Sequence, residues 1–248
     1  MMKRYGLIGH PLGHSFSKSF FNQKFCTENI DAEYVNFDID DIKELKNVLR
    51  ENPMLSGLNV TLPYKTQVIP LLDELDKDAK SIGAVNVIKF QKGRFGKLKL
   101  KGYNSDIIGF KDSIRPLLNE THKKALILGT GGASKAVFQG LIQLGIEPLY
   151  VSRTKTETCI TYDEITPEIM TDYTVIINAT PLGMSPNIDK APDIPYDLLT
   201  PAHLLYDLLY NPDETLFMQK GEDRGATVKN GLEMLLLQAF ASWRIWNE

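Results

Sequence analysis

Residues Ala125 to Val137 read ALILGTGGASKAV, an apolar run that enters a glycine turn and leaves it as a helix. That junction limits the fold severely. A short apolar run of this kind is a strand buried on both faces, and the helix after it must lie back on the sheet as part of a βαβ crossover. The glycines narrow the chemistry as well. Gly129 permits the tight turn, Gly131 lets backbone N–H groups approach an anion, and the helix start at Gly132 and Ala133 adds its dipole. The third glycine of the usual pattern is replaced by Ser134, still small enough for helix and strand to pack closely. The segment is a candidate cradle for a dinucleotide pyrophosphate. An ordinary βα turn is the alternative that two glycines alone leave open.

The next strand, Leu149-Tyr150-Val151, runs into Ser152-Arg153-Thr154. This lies about 20 residues past the glycines, where an NAD site sets an acid on the ribose hydroxyls. No acid stands there, and Glu147 is at the opposite end of the strand. Arg153 can instead pair with a 2′-phosphate, with Ser152 and Thr154 as hydrogen-bond donors. A solvated surface arginine is the competing reading. The expected cofactor is NADP.

Strands and helices alternate along the rest of the chain. Strands are expected at Tyr5–Gly9, Tyr34–Asp38, Gly57–Thr61 and Ala84–Phe90, then from a Lys92-Gly93-Arg94 turn to Leu100, and at Ala125–Gly129, Pro148–Ser152, Thr174–Asn178 and Leu204–Asp207. Helices are expected at Ser17–Asn29, Asp41–Glu51, Gln67–Leu75, Asp106–Leu118, Ser134–Leu144 and from Leu232 to about Trp246. The Pro- and Asp-rich stretch Gly183–Pro201 reads as a loop beside a site. The class is α/β, with parallel sheets covered by helices. A chain of 248 residues, 43% apolar and 24% charged, is large enough for one big domain or two ordinary ones.

Charge and composition remove several functions. The net charge is −3, and Lys99, Lys101 and Lys111 are scattered rather than striped, which argues against a nucleic-acid partner. The two cysteines, Cys26 and Cys159, form no CxxC pair and read as reduced thiols. His10 and His14 are separated by Pro11 and Gly13, so no metal site is expected. The apolar stretch Tyr5–Ile8 is too short for a signal peptide, and no run approaches the ~18 apolar residues of a membrane span. The expected location is the cytoplasm, with no membrane partner.

Three upstream segments carry polar side chains at element ends. In Gly9-His-Pro-Leu-Gly-His-Ser15-Phe-Ser17, two hydroxyls on a loop entering a helix can clasp a small carboxylate; Ser17 can equally be a plain N-cap. In Asn59-Val-Thr61-Leu-Pro-Tyr-Lys65, a proline-fixed turn lets Thr61 and Lys65 project into one space, although a solvated lysine is the common case. Asp106, after Tyr103-Asn104-Ser105, reads alone as a helix cap.

As an ordered set these segments, with Gly83-Ala-Val-Asn86, the glycine turn, Ser152-Arg-Thr154, Asn178-Ala-Thr-Pro-Leu-Gly-Met184 and Asn230-Gly-Leu232, closely resemble the shikimate dehydrogenases over nearly the whole chain. The resemblance implies two α/β domains flanking a cleft, the second a Rossmann-like dinucleotide-binding domain. The substrate-binding domain is expected at 1–103 plus 232–248 and the NADP-binding domain at 104–231. It implies reversible NADPH-dependent reduction of 3-dehydroshikimate to shikimate in aromatic amino-acid biosynthesis. Lys65 and Asp106 match the catalytic pair. Ser15, Ser17, Thr61, Asn86, Tyr210 and Gln238 match substrate contacts, although Gln238 read alone could be the wet edge of an apolar helix. Gly129, Gly131, Gly132, Ala133, Ser152, Arg153, Thr154 and Thr180 match cofactor positions, with Leu208 and Gly231 near the nicotinamide. The assembly is expected to be a monomer or homodimer.

Some residues depart from the family pattern. Lys18 stands where Pro is usual, Ser105 and Ile107 alter the usual Asn-Thr-Asp-Gly, Ser152 replaces Asn, and Leu208 replaces Met. The catalytic pair is untouched. Hydride transfer needs a partner proton transfer, and a lysine with an ordinary pKa near ~10.4 is suited to donate that proton. Lys65 is therefore expected to act chiefly as acid and electrostatic stabiliser, with Asp106 orienting it and the substrate hydroxyl. A dehydrogenase of the same shape that acts on quinate as well, with NAD as a possible cofactor, a regulatory protein of the same fold and a folate enzyme are the rival readings.

Overall fold

The computed structural model describes residues 2–13, 15–92 and 98–248. The chain divides into two compact units, Met1–Ser105 with Ala239–Glu248, and Asp106–Gln238.

The first unit is built on a mixed six-stranded sheet. Strand β1 (Lys3–Gly9) leads through helix α1 (Phe16–Thr27) to β2 (Ala32–Asp38), which pairs with β1 in parallel. The chain returns through α2 (Leu45–Glu51) to β3 (Leu55–Val60), which pairs in parallel with the other side of β1. Next come β4 (Glu74–Leu75), α3 (Lys77–Ile82), β5 (Val87–Lys92) and β6 (Leu98–Tyr103), giving the order β2-β1-β3-β5-β6-β4. Strand order thus reverses at β1, and the loops leaving β1 and β3 depart from the same edge. Open α/β sheets bind ligands at such a switch point.

Ile8, Leu58, Val60 and Ile88 pack with Leu45 and Val48 of α2. Elsewhere in the unit, Phe21, Tyr34 and Trp246 pack ring against ring. Burying each such side chain stabilises by roughly 1.5–3 kcal/mol. Trp246 lies so close over Gly57 that a Cβ there would collide with its indole, and its Nε1 donates to Ile88 O at 3.2 Å.

The second unit opens with α4 (Asp106–Ile114) and carries an all-parallel sheet: β7 (Lys124–Leu128), β8 (Glu147–Ser152), β9 (Cys159–Thr161), β10 (Val175–Asn178), β11 (Leu204–Asp207) and β12 (Thr227–Lys229), in the order β12-β11-β10-β7-β8-β9. Helix α5 (Gly132–Gln143) joins β7 to β8, while α6 (Pro167–Asp172) and α7 (Leu216–Glu222) lie farther on. Ala125, Ile127, Val175, Ile177 and Tyr206 pack on one face, and Leu126, Leu128, Ile176 and Leu205 on the other. Both faces are therefore buried, as a parallel sheet requires. This Rossmann-like sheet reverses its order between β7 and β10.

The last helix, α8 (Leu232–Asn247), crosses the division. Met234 belongs to the core of the second unit, whereas Trp243 and Trp246 pack on Tyr5 in the first. The division into compact units falls at 105/106 and 238/239. Several expected elements are corrected locally. Gln67–Leu75 is not a helix: Pro70 lacks an N–H, only Ile69–Leu71 forms a 3₁₀ turn, and Asp73 N is drawn to Leu100 O at 2.9 Å. Asp106–Leu118 breaks at Ile114 before Pro116. Helices α3, α6 and α7 and strands β4, β9 and β12 are additional; they are short, with too few residues to show a period. Gly93, Arg94 and His14 lie outside the described residues. No helix among the described residues is long and apolar enough to cross a membrane.

Candidate active site

In the first unit, Ser15, Thr61 and Lys65 lie on the two loops at the switch point, with Ser17 in the first turn of α1 and Asn86 just before β5. Ser15 caps α1, its Oγ accepting from Lys18 N at 3.2 Å, so the cap falls two residues before Ser17. Ser17 lies in the first turn of α1, half-buried, with its hydroxyl toward the Tyr34 phenol. On the facing loop, Thr61 N donates to Ile8 O at 2.9 Å, and His10 N donates to Leu62 O at 3.1 Å. These bonds lock the loop after β3 onto the end of β1. Lys65 is half-buried, and its carbonyl accepts from Val85 N at 2.7 Å, tying the Lys65 turn to the segment that carries Asn86. His10 is engaged elsewhere, with Asp38 at 2.8 Å.

A buried polar network beneath these loops was not anticipated. Tyr34 Oη donates to Asn59 Oδ1 at 2.8 Å, and Asn59 Nδ2 donates to Asn86 O at 3.1 Å and to Ser242 Oγ at 3.0 Å. Ser242 and Ser105 share a hydrogen bond at 3.1 Å. The Asn86 amide is held by Ser105, accepting from its N at 2.6 Å and donating to its Oγ at 3.0 Å. Burial lifts the Tyr34 phenol far above its ordinary pKa, so it remains a neutral donor. The available signal was weak: Tyr34 and Asn59 sit at buried positions of strands that carry other polar residues too, Glu33, Asn36 and Asp38 in β2 and Ser56 in β3.

In the second unit, Gly129 leaves β7 at φ +99°, in the region that favours glycine, and a Cβ there would lie 3.0 Å from Thr180 Cγ2. Gly131 is the N-cap of α5 and so offers no capping side chain to the first-turn N–H groups; a Cβ on it would meet nothing within 4 Å. Gly132 and Ala133 form the exposed first turn. Open space before uncapped N–H groups is the cradle that a pyrophosphate needs. Ser134 is buried, its Oγ donating to Gly131 O at 2.6 Å, and its carbonyl accepts from Tyr150 Oη at 3.2 Å. The small residue thus lets α5 sit down on β8.

Arg153 is exposed at the end of β8, between half-buried Ser152 and exposed Thr154. Among the described residues no carboxylate pairs with it, whereas nearby Lys155 is bound to Glu164. Leu208 follows β11, and a Cβ on Gly231 would collide with Leu208 O, so that approach requires glycine. Tyr210 is exposed. Asp106 is the half-buried first residue of α4 and Gln238 a half-buried residue of α8, donating to Leu235 O at 3.0 Å.

Comparison with known proteins bears on the whole chain. Residues 7–88 match the family model described as the shikimate dehydrogenase substrate binding domain. A shikimate dehydrogenase (NADP(+)) from Desulforamulus reducens is 35% identical over 270 residues, covering 97% of this chain and 88% of its own. The chain belongs to the shikimate dehydrogenase family. The structure of the Aquifex aeolicus shikimate dehydrogenase matches with a TM-score of 0.84 at 35% identity, covering 99% of this chain and 92% of that one. The Thermus thermophilus shikimate 5-dehydrogenase, solved in complex with NADP(H) and shikimate, matches with a TM-score of 0.84 at 28% identity, covering 99% and 93%. Both units of this chain are therefore those of a shikimate dehydrogenase fold.

Proposed function

We infer that this chain catalyses the reversible, NADPH-dependent reduction of 3-dehydroshikimate to shikimate, a step of aromatic amino-acid biosynthesis. One observation carries the reading: the loops with Ser15, Ser17, Thr61 and Lys65 are bonded together at the switch point of a sheet, within the segment that matches the substrate-binding family model.

Gly129, Gly131, Gly132 and Ala133 would hold the pyrophosphate, supported by the uncapped helix start. Ser152, Arg153 and Thr154 would hold the 2′-phosphate, supported by the exposed guanidinium and the absence of an acid at 152–154. Thr180, Leu208 and Gly231 would flank the nicotinamide. When bound, the cofactor supplies or accepts the hydride. The chain's own residues bind, orient and handle the proton. Ser15 and Ser17 take the substrate carboxylate. Thr61, Asn86, Tyr210 and Gln238 take the remaining polar groups. Lys65 gives its proton to the oxygen that becomes the alcohol and stabilises negative charge developing there. Asp106 orients the substrate hydroxyl.

The test is a selectivity matrix of shikimate and quinate with NADP⁺ and NAD⁺. Shikimate with NADP⁺ should give the highest kcat/KM. Faster oxidation of quinate would replace this reading with the quinate one, and preference for NAD⁺ would overturn the NADP assignment.

A further inference from the structure

Asp207 ends β11 with its side chain fully enclosed. Its three hydrogen-bond partners are uncharged donors: Asn178 Nδ2 and Leu209 N to Oδ1, each at 3.0 Å, and Thr215 Oγ1 to Oδ2 at 2.6 Å. Among the described residues no cation bonds to this carboxylate, and burial pushes its pKa up while the three donors pull against it. A neutral side chain of the same size would avoid the cost of burying a charge.

What the carboxylate gains is visible in where the donors come from. Asn178 is the register partner of Asp207 on β10, and its Oδ1 accepts from Thr180 N at 3.0 Å and Thr180 Oγ1 at 2.6 Å. Leu209 N belongs to the turn that carries Leu208, and Leu209 O accepts from Gly231 N at 2.8 Å. Thr215 caps α7 and anchors the far end of the same loop. One carboxylate therefore gathers the segments bearing Thr180, Leu208 and Gly231. Ser152, Arg153 and Thr154, on the other wing of the sheet, take no part in this network.

We propose that Asp207 is a positioning residue for the nicotinamide half of the cofactor site, holding the Thr180, Leu208 and Gly231 segments in register while leaving the 2′-phosphate half untouched. This rests on the assignment of those three residues to the cofactor above.

The test separates the two halves of the cofactor. NADPH affinity is measured by fluorescence titration, and adenosine 2′,5′-bisphosphate, which carries the 2′-phosphate but no nicotinamide, by competition. Asp207→Asn is expected to raise the Kd for NADPH about tenfold. The Kd for the bisphosphate should change less than about twofold, and kcat should fall more than the KM for shikimate rises. Thr215→Val, which removes one donor to Asp207 and the cap of α7 but no charge, should show the same split at smaller size. If Asp207→Asn does not fold, Thr215→Val decides by that split. Equal weakening of both ligands, or unchanged NADPH affinity, overturns the proposal. Wild-type protein that binds neither ligand overturns the cofactor reading itself, and this inference with it.

Discussion

Gly129 and Thr180 face each other across the neighbouring ends of β7 and β10, where a Cβ on the glycine would stand 3.0 Å from the threonine methyl. Gly131, two residues on, has an ordinary φ of −71° and open space where its Cβ would go. The two glycines therefore answer to different demands. Gly129→Ala should destabilise the protein by about 1–3 kcal/mol, because φ +99° is strained for any L side chain. Gly131→Ala should cost about 1 kcal/mol or less, yet weaken NADPH binding at least as much, because the methyl enters the cradle. Urea denaturation beside NADPH titration of both variants checks the contrast.

Arg153 is expected to set cofactor preference. A charge-assisted hydrogen bond is worth about 1.5–3 kcal/mol, or roughly 10–150-fold. Arg153→Ala should lower kcat/KM for NADP⁺ by that factor and leave the value for NAD⁺ within about threefold. Steady-state kinetics with both cofactors measures the ratio directly.

The network under the first unit's loops should be cooperative. Asn59→Ala removes the acceptor of Tyr34 and a donor to both Asn86 and Ser242, and should cost about 2–3 kcal/mol. Tyr34→Phe should cost about 1–2 kcal/mol. The double variant should lose less than the sum, because the Tyr34 hydroxyl and Asn59 share one bond. Urea denaturation of the four proteins completes the cycle.

Glu164, the partner of Lys155, gives a pH signature. Its hydrogen bond from Lys155, then that from Thr161 N, lowers its pKa from 4.5 to about 2. A carboxylate with a depressed folded-state pKa contributes stability above its unfolded value and loses it as the pH falls through the folded one. The contribution of this exposed pair should therefore be complete above pH 4.5 and vanish towards pH 2. NMR titration of the Glu164 carboxyl should show the low midpoint, and Lys155→Ala should move it upward.

What could be read in advance follows from how local each signal is. The β7–turn–α5 unit was legible because strand, glycines and helix are contiguous, and the 3.6 and 2 periods change at a defined residue. The loop residues of the first unit were legible as motifs, and the structure adds why they meet: β1 and β3 are neighbours although β2 lies between them in sequence. Asn178 and Asp207 were invisible as a pair, since their contact depends on the parallel register of β10 and β11. The break in Gln67–Leu75 was hidden because the apolar spacing of Val68, Leu71, Leu72 and Leu75 outweighed Pro70; there Val68 is buried from a turn, not from a helix. The split of α8 between two cores is equally non-local, for Met234 and Trp246 look alike as apolar helix positions.

In the proposed reaction this chain moves a hydride between shikimate and NADP⁺, and Lys65 handles the proton. The most direct measurement is the initial rate of NADPH formation from shikimate and NADP⁺, wild type against Lys65→Ala, with shikimate affinity determined on both. Wild type should produce NADPH, and the variant should lose about 10²–10⁴-fold in kcat while binding shikimate nearly as well. A wild-type protein that forms no NADPH, or a variant that turns over at the wild-type rate, would contradict the account.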